Sequence, residues 1–171
     1  SEYRLDYKLH NFPKPIISII DGIVMGGGAG LMFGSSFNIS TERTKFAMPE
    51  IGVGLFPDVG FTSVIKDLPE GLGLYIMLTS TQLNAADTLF CNLTDCSLSS
   101  EDLEKLFQEI QEIEWKDMKK DNLKILNSIV HQDDYTNKLN NFPKSKLKDE
   151  LSNIQSLTNA SNLHEVAKNI M

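Results

Sequence analysis

The chain has 171 residues, with 16 Lys and Arg against 23 Asp and Glu, a net charge of −7. That length fits one domain or a large part of one, and the acidic balance argues against nucleic acid as a direct partner, because phosphate binding needs clustered cations. The apolar runs are too short to cross a bilayer, and Cys91 and Cys96 show neither a metal-ligand spacing nor a disulfide framework, so they read as ordinary thiols of a reducing compartment.

In chain order, the first clear element is "PIISIID", Pro15 to Asp21, a continuous β-branched run like a buried strand that ends at Gly22. The glycine run Gly26–Gly27–Gly28 follows, then "AGLMFGSS", a short helix of small residues. "FNIS" (Phe37 to Ser40) and "KFAM" (Lys45 to Met48) read as further short strands. Strand, glycine turn, helix and strand in succession predict an α/β layer fold. Beyond residue 97 the character changes. "SSEDLEKLFQEIQEI" predicts a helix capped at Ser99, with Leu103, Leu106, Phe107, Ile110 and Ile113 on one stripe. "NLKILNSIVHQ" and "KSKLKDELSNIQSLT" predict two more helices, joined by the loop "NNFPKS". Residues 1–97, which hold all eleven glycines, thus form one portion, and 98–171 a mainly helical one.

Two stretches carry chemistry. A glycine inside an element costs roughly 0.5–1 kcal/mol relative to Ala, so three in succession need an offsetting role. One role is to present bare backbone N–H groups at a helix start to an anion or developing oxyanion; the other is close packing of helix on strand. A dinucleotide fingerprint is excluded, because Leu31 and Phe33 stand where its third glycine is required. The second stretch, "FAMPEIGVGLFPDVGF", sets Glu50 after Pro49 and Asp58 after Pro57 in glycine-flanked turns. Rigid loop carboxylates suit acid and base work, while Asp58 is also placed to cap the segment "VGFTSVIKDL".

The stretch "KPIISIIDGIVMGGGAGLMFGSSFNISTERTKFAMPEIGVGLFPDVG" resembles the enoyl-CoA hydratase/isomerase (crotonase) superfamily, and within it the 3-hydroxyisobutyryl-CoA hydrolase branch. The resemblance is dense over residues 1–90 and faint in the helical remainder. It implies a crotonase-like ββα spiral followed by C-terminal helices, and a chain that forms part of a longer fold. Hydratases of the superfamily carry one glutamate two residues after the glycine run, where this chain has Gly30, and a second in the "PE" motif. The hydrolase branch keeps the latter, here Glu50, and has "PD" at Asp58.

The implied reaction is hydrolysis of a short β-hydroxyacyl-CoA thioester of the 3-hydroxyisobutyryl-CoA kind, as in valine catabolism, giving free acid and coenzyme A. Glu50 is then nucleophile or general base, Asp58 holds the substrate hydroxyl or handles a proton, and Gly27 gives an oxyanion N–H. Glu2 aligns with a glutamate of the branch's substrate pocket. No metal and no cofactor are implied, coenzyme A being part of the substrate. His10, His131 and His164 read as surface residues. The chain departs from the branch at Phe61, Thr62 and Ser63, and again in "CNLTDCSL". These departures support an alternative, a non-catalytic subunit of crotonase-like hydrolase fold in a larger assembly such as a mitochondrial ribosome. Location is expected to be mitochondrial by resemblance, otherwise cytoplasmic. The resemblance further implies that an N-terminal segment or partner chain completes the site, and that these residues alone are feebly active and prone to associate.

Overall fold

The computed structural model describes residues 2–132, 135 and 142–170, and of Glu2 only the backbone. Helix α1 (Glu2–His10) runs through a Pro-Lys-Pro corner into strand β1 (Ile17–Ile20). Gly22, at φ 143°, breaks the apolar stretch, so that Ile23–Met25 becomes a separate strand, β2. Helix α2 (Gly27–Gly34) begins within the glycine run, and β3 (Phe37–Ser40) and β4 (Lys45–Ala47) follow where short strands were expected.

Among the described residues the named strands pair with one another in parallel, and Phe46 of β4 also makes an isolated antiparallel bridge to Leu83. β1 pairs with β3, Ile17 opposite Phe37, and β2 pairs with β4, Met25 opposite Ala47. A fifth strand, β5 (Cys96–Ser97), extends the first sheet beside β3. β1, β2 and β3 thus each pair with the strand two places on, the turn through β3 and β4 adding one strand to each sheet and β5 one more to the first. This is the crotonase-like spiral expected from the motifs. It fixes where the loops gather, because parallel strands bring successive carboxyl ends to the same edge.

After β4 come a 3₁₀ turn (Glu50–Val53), α3 (Phe61–Val64), α4 (Leu72–Thr79) and α5 (Ala85–Phe90). The helical remainder holds α6 (Leu103–Glu112), α7 (Lys119–Val130), α8 (Lys146–Asp149), α9 (Leu151–Thr158) and α10 (Leu163–Ile170). Ser99 does cap, but it caps a 3₁₀ turn (Ser100–Asp102) ahead of α6. The stripe expected on α6 is narrower than its sequence suggested. Leu106 is buried, Phe107 is exposed and Ile113 lies past the helix end. "KSKLKDELSNIQSLT" divides at Glu150 into α8 and α9. Asn140 and Asn141 of the expected loop lie outside the described residues.

Two apolar clusters hold the fold. One joins Ile20, Met32, Phe46, Phe61, Leu72 and Leu83 with Leu147 and Ile154 of α8 and α9. The other packs Leu106 and Leu126 of α6 and α7 against Phe37 and Ile39 of β3. Helices from beyond residue 98 thus contribute to both clusters, each large side chain they bury contributing about 1.5–3 kcal/mol. Phe61, at a departure from the hydrolase pattern, is wholly buried and stacks on Phe33 with ring centroids 5.9 Å apart. In the other departure, Ser97 and Thr94 reach the buried Ser40 hydroxyl at 2.7 and 3.4 Å. Both departures therefore have a packing role here.

Candidate active site

The pairing of Met25 with Ala47 sets the geometry of the site. Gly26 and Gly27 follow directly on Met25, and Met48, Pro49 and Glu50 follow on Ala47. The glycine turn and Glu50 therefore leave the carboxyl ends of two hydrogen-bonded strands, where chains lie about 4.8 Å apart.

The glycines of this run divide into two roles. Gly26 sits at φ 51°, ψ −128° ahead of α2, a conformation that a side chain would oppose. The Ala29 N–H is bound to the Gly26 carbonyl at 2.8 Å, while Gly27 and Gly28, as the first helical residues, have no intrahelical acceptor. A Cβ on Gly28 would meet nothing within 4 Å, so the space beside the helix start is open. Gly30 and Gly34 are packing residues, one turn apart against α1. A Cβ on Gly34 would come within 2.9 Å of the Leu9 Cβ.

Glu50 opens the 3₁₀ turn and is 8% exposed. Its carbonyl is bonded to the Leu55 N–H at 2.9 Å, which ties the loop back on itself. Its side-chain Oε2 is shut off from solvent without a hydrogen-bond partner among the described residues. Leaving a carboxylate oxygen so placed costs about 1–3 kcal/mol or more.

Asp58 does not cap the helix that follows it. The N-cap there is Gly60 with no side-chain cap bond, and the Asp58 contribution is its carbonyl, bonded to the Phe61 N–H at 2.9 Å. Its carboxylate instead accepts the Tyr3 hydroxyl of α1 at 2.8 Å. The next residue, Val59, has φ 45°. A β-branched side chain in the left-handed region is strained, and such strain clusters at functional sites. Val59 is held there by burial against the α2 core. Glu2 opens α1, and its side chain lies outside the described residues. His10, His131 and His164 are all exposed.

One residue escaped the sequence reading. Asp6, on the α1 face that meets α2, has both carboxylate oxygens buried and unpartnered among the described residues. They lie 3.1 and 3.2 Å from where a Cβ of Gly30 would stand, and the Val59 Cβ is 3.1 Å from the same point. An acid from another helix thus fills the space in front of a glycine. A single Asp in "SEYRLDYKLH" resembles any solvated helix acid, and only the three-residue spacing of Asp6 and Leu9 placed it on a shared face. Tyr3, Asp6, Gly30, Val59 and Gly60 line one crevice of about 310 Å³.

Burial pushes the Cys91 and Cys96 thiols up to about 12, with Asp87 and Asp95 adding repulsion, so both stay protonated at neutral pH. Among the described residues no three His, Cys, Asp or Glu side chains gather as a metal site would need, and no helix is long and apolar enough to cross a membrane.

The model of the enoyl-CoA hydratase/isomerase family matches residues 1–171. The chain is 34% identical over 169 residues to the mitochondrial 3-hydroxyisobutyryl-CoA hydrolase of Xenopus tropicalis, covering 99% of this chain and 43% of that protein. It is 37% identical over 116 residues to small ribosomal subunit protein mS47 of Neurospora crassa, covering 68% of this chain and 23% of that one. Among solved structures, a carnitinyl-CoA dehydratase from Mycobacterium thermoresistibile superposes with a TM-score of 0.78 at 28% identity, over 98% of this chain and 45% of its own. The chain therefore spans less than half the length of these proteins.

Proposed function

The chain belongs to the enoyl-CoA hydratase/isomerase family, and from that premise we propose that the protein it forms hydrolyses a short β-hydroxyacyl-CoA thioester, of the 3-hydroxyisobutyryl-CoA kind, to free acid and coenzyme A. The observation that carries this reading is the register of β2 on β4, which sets a buried carboxylate with an unpartnered oxygen beside an open, glycine-built helix start.

The thioester carbonyl oxygen lies against the Gly27 N–H, where the positive end of α2 favours the charge that develops as the carbon becomes tetrahedral. Glu50 acts on that carbon by one of two routes. As nucleophile it forms a C–O bond while the C–S bond breaks, giving a mixed anhydride that water then opens. As general base it takes a proton from the attacking water. By either route coenzyme A departs as the thiol, and Asp58, held by the Tyr3 hydroxyl, orients the substrate hydroxyl or carries the proton. Hydration of a double bond is disfavoured, because Gly30 bears no acid of its own and a side chain there would crowd Asp6 and Val59 at 3.1 Å. The sulfur leaves with coenzyme A, so the substrate brings the only group of cofactor type that the reaction needs. The mitochondrial Xenopus relative supports a mitochondrial location.

A second reading rests on the Neurospora relative, whose name places it in a small ribosomal subunit. In it the same fold serves as a structural subunit of a mitochondrial ribosome. The two readings separate on one assay, release of free thiol from 3-hydroxyisobutyryl-CoA by the intact protein, with crotonyl-CoA hydration as the control. Thiol release without hydration supports the hydrolase. Hydration without thiol release overturns it, and neither activity in a protein that sediments with the ribosomal small subunit establishes the second reading.

A further inference from the structure

At the opposite end of the first sheet, the corner Pro13–Lys14–Pro15 ahead of β1 faces the start of α7 across a cavity of about 480 Å³. Its lining also includes Trp115, Lys116, Asp117, Lys119 and Asn122. Three lysines and one aspartate are an unusual surface for a chain of net charge −7. Neither Lys14 nor Lys119 has a carboxylate within ion-pair range among the described residues, and Lys116 reaches only the solvent-facing Glu114, at 3.6 Å.

The wall is rigid. Asn122, 5% exposed, accepts the Lys116 N–H at 2.7 Å and donates to the Lys116 carbonyl at 2.8 Å. This pair of hydrogen bonds to a buried side chain fixes the loop that carries Trp115, and two prolines fix the facing corner. Trp115 remains 42% exposed although it is the largest side chain of the cavity. The first N–H groups of α7 also go without a side-chain cap.

We propose that this cavity binds a nucleoside phosphate, with the base on the face of Trp115 and the phosphate among Lys14, Lys116 and Lys119 at the α7 start. An indole offers a stacking platform to any base, unpaired lysines offer point charges to phosphate, and an uncapped helix start adds N–H donors. The site precedes β1, whereas Gly27 and Glu50 follow the carboxyl ends of β2 and β4, so it is separate from the candidate active site.

The test is titration of the full chain with ADP, read by calorimetry and by the emission of Trp115, the one tryptophan of the sequence. ADP is expected to bind saturably and to quench that emission. The double variant Lys14→Gln, Lys119→Gln should weaken binding about tenfold or more, equal to about 1.4 kcal/mol. Trp115→Leu, read by calorimetry alone, should weaken ADP but leave inorganic phosphate unaffected. Lys14 and Trp115 are exposed and Lys119 is half-buried, and unchanged melting temperatures establish that both variants fold. Equal binding of ADP by wild type and the lysine variant overturns the proposal, as does the absence of saturable binding. Tighter capture of a single-stranded oligonucleotide than of ADP also overturns it, in favour of a nucleic-acid surface.

Discussion

Two of the regions in which this molecule buries carboxylates treat them in opposite ways. At the start of α5, Asp87 is 2% exposed and both its oxygens are occupied. Oδ2 accepts the Asn84 N–H at 3.1 Å and closes a capping box, while Oδ1 accepts the Ser145 hydroxyl at 2.8 Å and the Leu147 N–H at 3.0 Å. Around the carboxyl ends of β2 and β4, Glu50 and Asp6 are held by packing, and three of their oxygens have no partner. A satisfied buried acid is a structural fastener, here pinning α8 to α5 across 60 residues of sequence. An unsatisfied one raises the energy of the fold and persists only where another demand keeps it.

If that contrast is right, substitutions at the two regions must fall on different observables. The largest effect is expected at Glu50. Glu50→Gln keeps the shape but removes the nucleophile or base, and turnover of the hydroxyacyl-CoA thioester should fall by about 10²–10⁴-fold. Its melting temperature should not fall, because no hydrogen bond of Oε2 is lost. Wild-type turnover in a folded Glu50→Gln protein would remove Glu50 from the mechanism. Asp87→Ala should do the reverse. It strands three donors, of which two tie α8 to α5, for a stability loss of about 3 kcal/mol, or about 6–12 °C in melting temperature for a chain of this size. Activity per folded molecule should be unchanged. Chemical denaturation beside steady-state kinetics reads both quantities.

The difference between the regions also governs what the sequence could reveal. Glu50 and the glycine run lie within 25 residues of each other and share a motif, so their association was legible, as were β1, β3, β4 and α2 from their apolar runs. The separate β2 was not, because nothing in "IIDGIVM" says that Gly22 sends Ile23–Met25 to a second sheet. The link from Asp87 to Ser145 and Leu147 joins distant segments, and only the folded chain brings them together. Asp58 was read with two roles, and its partner Tyr3, 55 residues away, decided against the cap. Phe107 was placed on the buried stripe of α6 because a wide stripe and a narrow contact have the same period.

Asp6 offers a sharper test, with a smaller effect. If its two unpartnered oxygens are a pure cost, Asp6→Leu should stabilise the chain by about 1 kcal/mol, a rise of about 2–4 °C. If the site also needs that acid, the stabilised variant should lose turnover. Loss of stability together with unchanged turnover would place Asp6 beside Asp87 as a fastener and break the contrast drawn above.

The smallest effect concerns a third kind of acid, one paired at the surface. Asp21, in the turn between β1 and β2, accepts the Arg43 Nε at 2.7 Å and the Thr41 hydroxyl at 2.7 Å, and forms an ion pair with the same guanidinium. The Arg43 hydrogen bond holds its carboxyl below the ordinary value of 3.8, against the opposing pull of partial burial. A carboxyl lowered in the folded state contributes stability above its unfolded value and loses that contribution as pH falls through the folded one. The Asp21 share is therefore complete above pH 3.8 and disappears below it. Both side chains are substantially exposed, so salt screens the pair and the effect at neutral pH stays small. Denaturant midpoints of wild type and Asp21→Asn, taken between about pH 5 and pH 1, should differ slightly at the upper end and converge at the lower. A gap that widens as the pH falls would mean that the folded chain raises the Asp21 carboxyl, and the Arg43 contact would then not be its dominant partner.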